Sequence, residues 1–366
     1  MKEKELLAFL RLQKTTSIGA ILAKRLIASV GNAQDIFKEN KNTLLKINGI
    51  GRAVIANLFD DSNQRIAEQE LDYITKNKIG YSCFLDDDYP NYLQHCIDAP
   101  ILFFKKGTID FSNERIISIV GTRKMTPYGQ DFCESLIQDL SVYNPVIVSG
   151  FAFGVDICAH QAAMNNHLQT IGVLAHGFDQ IYPKAHQKYL YKVKENGGFI
   201  TEFFHDEDPL RVNFLKRNRI VAGISKATII IESPSKGGSL VTADIANSYD
   251  KDVFAVPGRT TDKMSQGCNH LIRRNQAHLL QSSEDLIKML NWDVNEISKV
   301  KQSNQQINLT HNEQKVVDFL QANSHQMIDI IALNTHIPVG ELATILLQLE
   351  LKNKVKPLPG KIFTLK

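Results

Sequence analysis

The fold is decided by the stretch Ile116-Ile117-Ser118-Ile119-Val120-Gly121-Thr122-Arg123, which is followed by a helical pattern over residues 130–140 and by Val146-Ile147-Val148-Ser149-Gly150. Two short β-branched runs joined by one helix are typical of a βαβ unit in a parallel sheet. Both runs stop at a glycine, and the carboxyl ends of such strands face the ligand in open α/β sheets. The sequence therefore predicts a ligand-binding edge at Gly121 and Gly150.

Phosphate is the ligand that this edge favours. Glycine lets an anion approach the backbone, and the N–H groups at the start of the following helix point toward that anion. Arg123 adds a planar, permanently charged guanidinium that matches phosphate oxygens. The alternative is that Gly121 and Gly150 only make tight turns, since short glycine motifs have many false positives. Two such loops together with an arginine favour the phosphate interpretation.

Strand and helix patterns continue to alternate beyond the opening unit. Further strand patterns lie at residues 170–175, 198–202, 227–231 and 253–256, with helical patterns at 156–164, 185–195 and 240–249. This alternation predicts the α/β class, with a Rossmann-like, doubly wound and mostly parallel sheet. Phe103 and Phe104 are expected to lie in an edge strand that feeds the sheet.

Two further stretches fall near the same edge. Phe214-Leu215-Lys216-Arg217-Asn218-Arg219 combines three cations with an aromatic ring, which is the composition of a platform for single-stranded nucleic acid. A solvated basic helix start with Phe214 buried is the alternative. Pro234-Ser235-Lys236-Gly237-Gly238-Ser239-Leu240-Val241-Thr242-Ala243 places a glycine pair and hydroxyls at a helix start, and this geometry suits an anion.

The flanking regions are helical. In the N-terminal region Ile47-Asn48-Gly49-Ile50-Gly51 resembles the hairpin of a helix-hairpin-helix, whose backbone N–H groups contact phosphate. A packing module without DNA contact is an equal alternative.

Three helical patterns followed by a two-strand wing end the chain, which is the order of a winged helix. Its nominal recognition helix, over residues 339–349, carries Glu341 and few basic residues. A protein contact or an intramolecular role therefore suits it at least as well as duplex binding.

These patterns divide the 366-residue chain into segments. We expect a helical domain (SAM/helix-hairpin-helix-like) over residues 1–78, a Rossmann-like DNA-binding domain over 79–290, a linker over 291–309 and a winged-helix domain over 310–366. The linker is rich in Asn and Gln and poor in apolar residues.

Composition narrows the class of protein. The five cysteines are scattered, with no CxxC pair and no early signal peptide, which predicts a reducing, cytoplasmic location. No uncharged apolar run is long enough to cross a bilayer. The net charge of +3 is small, so any nucleic-acid site must be a local patch.

Few residue patterns point to catalysis or to a metal. Asp156 and His160 stand four apart on one predicted helix, where a structural hydrogen bond is the favoured role, and Cys158 does not complete a zinc site. Paired carboxylates, a nucleophile elbow and a lysine-bearing phosphate loop are not found. We therefore expect neither a metal nor a cofactor.

The motifs of the central region resemble the DNA-processing protein A (DprA/Smf) family. The residues that carry the resemblance are Ile119-Val120-Gly121-Thr122-Arg123 with Tyr128-Gly129, Ser149-Gly150-x-Ala152-x-Gly154-x-Asp156 with Ala159-His160, Tyr182-Pro183-Lys184, Arg217-Asn218-Arg219, Gly238-Ser239-Leu240-x-Thr242-Ala243 and Val256-Pro257-Gly258. All six motifs occur in the family's order. Phe153 departs from the pattern, since many members have arginine there.

The resemblance implies a non-catalytic single-stranded DNA-binding protein of natural transformation. Such proteins protect incoming strands and load the RecA recombinase onto them, usually as homodimers through the central domain. Gly121 and Arg123 are then expected to hold phosphate, and Phe214 to stack on a base. The full set of expected DNA-binding residues is Gly121, Arg123, Ser149, Gly150, Lys184, Phe214, Arg217, Arg219, Gly238, Ser239 and Thr242.

A nucleotide phosphoribohydrolase is the alternative from another class. Enzymes of that kind, related to the lysine-decarboxylase-like proteins, share this sheet and a Pro-Gly-Gly loop, but they need a glutamate shortly after that loop. Here Thr242 and Ala243 occupy the region, and the next acid, Asp244, falls on the following turn. Binding is therefore favoured over hydrolysis.

Overall fold

The computed structural model describes residues 2–292, 309–352, 354–358 and 360–365. The chain forms two compact units, Met1–Asp293 and Val294–Lys366. Most of the segment predicted as a linker, residues 293–308, lies outside the described residues.

A nine-stranded sheet forms the centre of the first unit, in the order β1-β2-β6-β5-β4-β3-β7-β8-β9. The strands are β1 (Gly80–Cys83), β2 (Leu102–Gly107), β3 (Ile116–Val120), β4 (Val146–Ser149), β5 (Thr170–Val173), β6 (Gly197–Thr201), β7 (Ala227–Ile230), β8 (Asp252–Ala255) and β9 (His278–Leu279). Strands β3 to β9 pair in parallel, whereas β1 and β2 are antiparallel. The predicted Rossmann-like, mostly parallel sheet is confirmed.

Strand β3 marks the point where the winding of the sheet reverses. It pairs with β4 on one side and with β7 on the other, so the loops that follow β3, β4 and β7 diverge there. Every residue of β3 is buried, which explains its uninterrupted apolar and β-branched sequence. Ligands of open α/β sheets bind in the crevice at such a switch point.

Helices cover the sheet. Those of the first unit are α1 (Glu3–Lys14), α2 (Ala20–Val30), α3 (Ala33–Ile36), α4 (Lys41–Leu44), α5 (Arg52–Leu58), α6 (Asp61–Asn77), α7 (Asn91–Gln94), α8 (Pro127–Leu140), α9 (Val155–Asn165), α10 (Leu190–Glu195), α11 (Arg211–Ile224), α12 (Gly238–Ser248), α13 (Gln266–Arg273) and α14 (Ser283–Met289). Short 3₁₀ helices occupy Ser141–Tyr143 and Lys184–Tyr189. The helix predicted over residues 185–195 is therefore a 3₁₀ segment followed by α10.

The expectation that Phe103 and Phe104 lie in an edge strand is wrong. Their strand, β2, pairs with β1 on one side and β6 on the other, and both rings are buried. The edge is β1 instead, a strand of four residues that is too short and too little buried to give a clear strand pattern in the sequence.

The N-terminal helices pack directly against this side of the sheet. Leu10 and Leu12 of α1 belong to the same apolar cluster as Leu102 and Phe104 of β2. In the predicted hairpin, Gly49 has a φ of +90°, and Arg25 donates from Nη1 to the carbonyl of Asn48 at 2.7 Å. The helices thus pack in the first compact unit, and the boundary at residue 78 stays a prediction, as does a DNA contact by the hairpin.

The second unit has the predicted winged-helix order. It contains α15 (His311–Ala322), β10 (Gln326–Met327), α16 (Ile328–Thr335), α17 (Val339–Leu351), β11 (Val355–Leu358) and β12 (Ile362–Leu365). Its sheet has the order β10-β12-β11, and the core includes Leu320, Leu342 and Leu346.

No single helix in the described ranges is long and apolar enough to cross a bilayer. The bent pair α16 and α17 passes the test jointly, by length and composition only, with an angle of 107° between its members.

Candidate nucleic-acid interface

A cleft of about 560 Å³ opens at the carboxyl ends of the strands beside the switch point. The residues that line it are Val120, Gly121, Thr122, Arg123, Gly150, Ala152, Asp156, Tyr182, Pro209, Arg211, Phe214, Leu215, Arg217, Asn218, Val221, Pro234, Gly237, Gly238, Ser239 and Thr242. Most of them come from the loops after β3, β4 and β7 and from α11, while Tyr182 follows β5 and Pro209 follows β6. The sheet topology therefore brings together three glycine-bearing turns that are far apart in the sequence.

The loop after β3 is held in place by Glu232. The backbone carbonyl of Glu232 accepts the N–H of Thr122 at 2.7 Å, and its carboxylate accepts the N–H of Thr126 at 2.8 Å and the Thr126 hydroxyl at 2.5 Å. This carboxylate is 1% exposed. Gly129 of α8 leaves room for it, because a Cβ there would lie 2.5 Å from a carboxylate oxygen. The loop that carries Arg123 is thus clamped at both ends.

Arg217 forms the floor of the cleft. It is 4% exposed and donates from Nη1 to the carbonyl of Val173 at 2.5 Å, while its Nε has no partner among the described residues. Gly150 is required beside it, because a Cβ at this position would lie 2.1 Å from Nη1. The cleft therefore has a buried guanidinium whose hydrogen-bonding capacity is not fully used.

Asp156 lines the same cleft, and its negative charge attracts this guanidinium. Burial raises the pKa of Asp156, and the attraction of Arg217 opposes that rise. In turn, burial lowers the pKa of Arg217 to about 10, while Asp156 opposes the fall. The Asp156 carboxylate thus favours the charged form of Arg217, and the Arg217 guanidinium favours the charged form of Asp156. Because the two charges cancel, the inner wall of the cleft is close to neutral.

An aromatic platform stands at the mouth. The ring of Phe214 is half buried; the guanidinium carbon of Arg123 lies 5.1 Å from its centroid, and the Tyr182 ring approaches edge-on at 5.5 Å. Arg123 and Tyr182 are exposed. Rings and guanidinium planes of this kind stack on unpaired bases.

The loop after β7 adds a helix start with open backbone donors. Helix α12 begins after Gly237 with no side-chain cap, and nothing lies within 4 Å of a Cβ built at Gly238. The first N–H groups of a helix have no intrahelical partner, and they favour anions. The hydroxyl of Ser239 donates to Ser233 at 3.0 Å, so it shapes the wall from a buried position.

The comparisons with known proteins agree with this architecture. The model of the DNA recombination-mediator protein A family matches residues 80–291. The chain belongs to this family. The model of the DprA winged helix domain matches residues 301–361, which lie within the second unit.

Relatives and solved structures extend the match. DNA processing protein DprA of Streptococcus pneumoniae is 39% identical over 203 residues, which are 56% of this chain and 71% of that protein. Protein Smf of Escherichia coli is 32% identical over 282 residues, 74% of each chain. The crystal structure of the Streptococcus pneumoniae protein superposes with a TM-score of 0.65 at 31% identity, covering 79% of this chain and 98% of that one.

A second structure is that of DNA processing protein A from Helicobacter pylori, described for its single-stranded DNA binding mode. It superposes with a TM-score of 0.52 at 30% identity, covering 58% of this chain and 96% of that one.

Within this family member, eight of the eleven predicted site residues line the cleft. They are Gly121, Arg123, Gly150, Phe214, Arg217, Gly238, Ser239 and Thr242. Ser149 does not line it: as the last residue of β4 it is buried and donates to the carbonyl of Ile119 at 2.6 Å. Lys184 is exposed outside the cleft, at the start of the 3₁₀ segment.

Arg219 also lies outside this cleft, contrary to the grouping of the three cations into one patch. Its guanidinium pairs with Glu202 and donates to the carbonyl of Asp98 at 2.7 Å. Residues two apart on a helix point about 200° apart. Arg217 and Arg219 of α11 therefore face different surroundings.

Sequence reasoning missed several residues of the site. Tyr182 and Arg211 line the cleft, and Glu232 braces the β3 loop. Arg211 opens the helix that carries Phe214, so helical spacing could have found it. Tyr182 belongs to the motif Tyr182-Pro183-Lys184, from which only the charged Lys184 was expected to bind; the structure places Tyr182 in the cleft instead.

The predicted pair Asp156 and His160 is not joined by a hydrogen bond. Asp156 accepts the N–H of Ala152 at 3.3 Å, whereas His160 Nδ1 lies 2.6 Å from the hydroxyl of Thr170. His160 is fully buried, and burial lowers its pKa to about 3. In the described ranges no group of three or more His, Cys, Asp or Glu side chains could hold a metal ion.

Proposed function

We propose that this protein binds single-stranded DNA in the cleft at the carboxyl ends of β3, β4 and β7. The observation that carries the proposal is the juxtaposition of the Phe214 ring with the exposed Arg123 guanidinium and the uncapped start of α12. A ring for a base next to charge and open N–H groups for phosphate matches the repeating chemistry of an unpaired strand. The Helicobacter pylori relative, described for such binding, supports it.

Each predicted residue has a proposed role. Gly238 has open space at its Cβ position and admits the phosphate to the backbone, whereas Gly121 and Gly150 line the cleft and make room for Val155 and Arg217. Arg123 supplies exposed charge, and Phe214 stacks on a base. Arg217, Ser239 and Thr242 shape and polarise the wall. Lys184, Ser149 and Arg219 act from outside the cleft: Lys184 as an exposed charge, the other two by positioning their neighbours.

The biological role that we propose is protection of incoming strands and loading of RecA onto them during natural transformation, by a cytoplasmic homodimer. Family membership supports this role. Its test is RecA filament formation on strands coated with single-strand-binding protein. We expect faster filament growth when this protein is added, and an unchanged rate would contradict the loading role.

Binding is tested by the anisotropy of labelled oligothymidylate and of a duplex of the same length. We expect preference for the single strand. Phe214→Ala should weaken single-strand affinity by about fivefold or more, because stacking contributes about 1–3 kcal/mol per base. Tyr191→Ala is the matched control, since Tyr191 is 75% exposed and does not line the cleft. Equal effects of the two substitutions would remove Phe214 from the site.

We propose no catalytic role for the cleft. Asp156 is the one carboxylate among the described residues that line it, and it faces Arg217 from a buried position. Asp244, the acid next in sequence after the glycine pair, is exposed on α12 and does not line the cleft. Release of free base from nucleoside monophosphates would instead support the phosphoribohydrolase alternative.

A further inference from the structure

Helix α11 separates two clefts. Phe214, Leu215 and Arg217 line the cleft described above, whereas Lys216 and Arg219 line a second one of about 480 Å³. The other walls of the second cleft come from α1, α2, the segment before β2 and the end of β6. An α-helix is only about 10 Å thick, so one flexible polymer can contact both clefts by crossing α11.

The second cleft carries more positive than negative charge. Arg25, Lys216 and Arg219 line it against Asp98 and Glu202. Arg219 is paired with Glu202, and Asp98 accepts a hydrogen bond from the Tyr249 hydroxyl. Arg25 and Lys216 are both exposed and supply the excess charge at the rim.

The remaining chemistry of this cleft also suits a strand with bases. The exposed apolar side chains of Leu215 and Ile21, 49% and 42% exposed, flank the crossing point. Inside the cleft, Gln13 Oε1 and Glu202 Oε1 are buried acceptors without a partner among the described residues. The N3–H group of thymine and the exocyclic amino groups of the other bases are donors that would satisfy them.

We propose that a single strand leaving the first cleft crosses α11 at Leu215 and Lys216 and continues into the second cleft. Its phosphates lie near Arg25 and Lys216, and its bases face Ile21 and the two buried acceptors. Helix α2 begins there after Gly19 without a side-chain cap, which places further open N–H groups along the path. This inference rests on the proposed function of the first cleft and extends the binding site across the N-terminal helices.

The test compares oligothymidylates of about six and about twenty nucleotides. The shorter strand lies within the site size of about 4–16 nucleotides that one single-strand-binding fold covers, and the longer strand exceeds it. The full-length variant Arg25→Glu/Lys216→Glu should bind the longer strand about tenfold more weakly. Its salt dependence should fall by about 1.4 in the slope of log affinity against log salt, for two lost phosphate contacts. Affinity for the shorter strand should stay within about twofold.

The matched control is Lys76→Glu/Lys192→Glu, which changes the net charge equally at two exposed positions that line neither cleft. Equal losses for both strand lengths, or no loss for the longer strand relative to the control, would overturn the inference. If the unsubstituted protein binds neither strand, the proposed function itself fails. The two failures are therefore distinguishable.

A second measurement does not depend on the variants. Long strands with 4-thiothymidine at successive positions should crosslink to peptides from α11 and, at positions several nucleotides away, to peptides containing Gly19 to Arg25. Crosslinks confined to the first cleft at every position would overturn the path, whereas crosslinks to α2 support it.

Discussion

Helices α11 and α17 both occupy places where nucleic-acid contact is expected, yet they have opposite chemistry. Helix α11 carries Arg211, Lys216, Arg217 and Arg219. Helix α17, the nominal recognition helix of the winged-helix unit, has no lysine or arginine and carries Glu341 and Glu350. The charge that each helix presents to a phosphate chain therefore makes α11 the stronger candidate for a DNA contact.

The two helices also differ in what they bury. Helix α17 buries Leu342, Leu346 and Leu349 in the core of its own unit and leaves Leu347 56% exposed. Helix α11 buries Arg217, whose charge is balanced by Asp156. The buried charge of Arg217 thus belongs to the structure of the first unit, and the exposed charges of Arg211 and Lys216 are the ones that a strand could reach.

The largest expected effect concerns this buried charge. Arg217→Met should destabilise the first unit by about 1–3 kcal/mol, because it leaves the buried carbonyl of Val173 without its donor and removes the attraction that favours the charged form of Asp156. Urea unfolding followed by tryptophan fluorescence measures the loss; Trp292 belongs to this unit. Asp156→Asn in the same chain should recover a large part of it. A loss below about 0.5 kcal/mol would contradict a structural role for Arg217.

The second prediction concerns pH and the surroundings of Arg217. His160 has a pKa of about 3 in the folded protein, lowered by burial and further by His186 and Arg217, against about 6.5 in an unfolded chain. Below pH 6.5 the unfolded state therefore binds a proton at His160 that the folded state does not bind. The contribution of neutral His160 to the free energy of unfolding is fully present above pH 6.5 and is lost as the pH falls toward 3. At pH 5 the loss is about 2 kcal/mol.

The variant His160→Gln isolates that contribution. The difference in unfolding free energy between pH 7 and pH 5 should be smaller in the variant by about 2 kcal/mol. The buried carboxylates Asp156 and Glu202, whose pKa values are raised by burial, act in the opposite direction but are present in both proteins. Identical pH dependence of the two proteins would contradict a neutral, buried His160.

The third prediction separates exposed from buried charge. Arg123→Ala should leave the unfolding free energy within about 0.5 kcal/mol, since this side chain is exposed. Single-strand affinity should fall about threefold, and the salt slope by about 0.7, for one lost phosphate contact. Titrations at several salt concentrations measure both. A lower affinity with an unchanged slope would assign Arg123 to base stacking alone.

The smallest effect is expected in α17. Glu341→Gln/Glu350→Gln should change single-strand affinity by less than about twofold, because the helix offers no cation whose contact could be improved. An increase of about fivefold or more would contradict the contrast with α11, since it would show that these acids repel a bound strand.

The parts of the fold with strong local patterns were predictable from the sequence. Strand β3 is a fully buried run of five residues, and its glycine-ended loop identified the ligand edge. Strand β9 was missed because two exposed residues, His278 and Leu279, carry no periodicity. Strand β1 was missed for a similar reason, and its absence made β2 look like an edge.

The candidate site was predictable where glycine marks the end of a strand or the start of a helix. Gly150 is required there, since a Cβ would lie 2.1 Å from Arg217, whereas Gly238 stands at an open helix start with nothing within 4 Å of a Cβ. Ser149 and Arg219 were grouped with the cleft because linear spacing does not show which way a side chain points. The alternation of a strand turns Ser149 inward, and the period of a helix turns Arg219 away from Arg217.

The carboxylate of Glu232 has a consequence for the speed of recognition. It fastens the β3 loop through Thr126 while the carbonyl of the same residue fastens Thr122. The loop therefore loses its conformational entropy when the chain folds, and the binding of a ligand adds little further entropic cost. For the binding that we propose, a loop fixed in this way needs no slow rearrangement before a productive encounter.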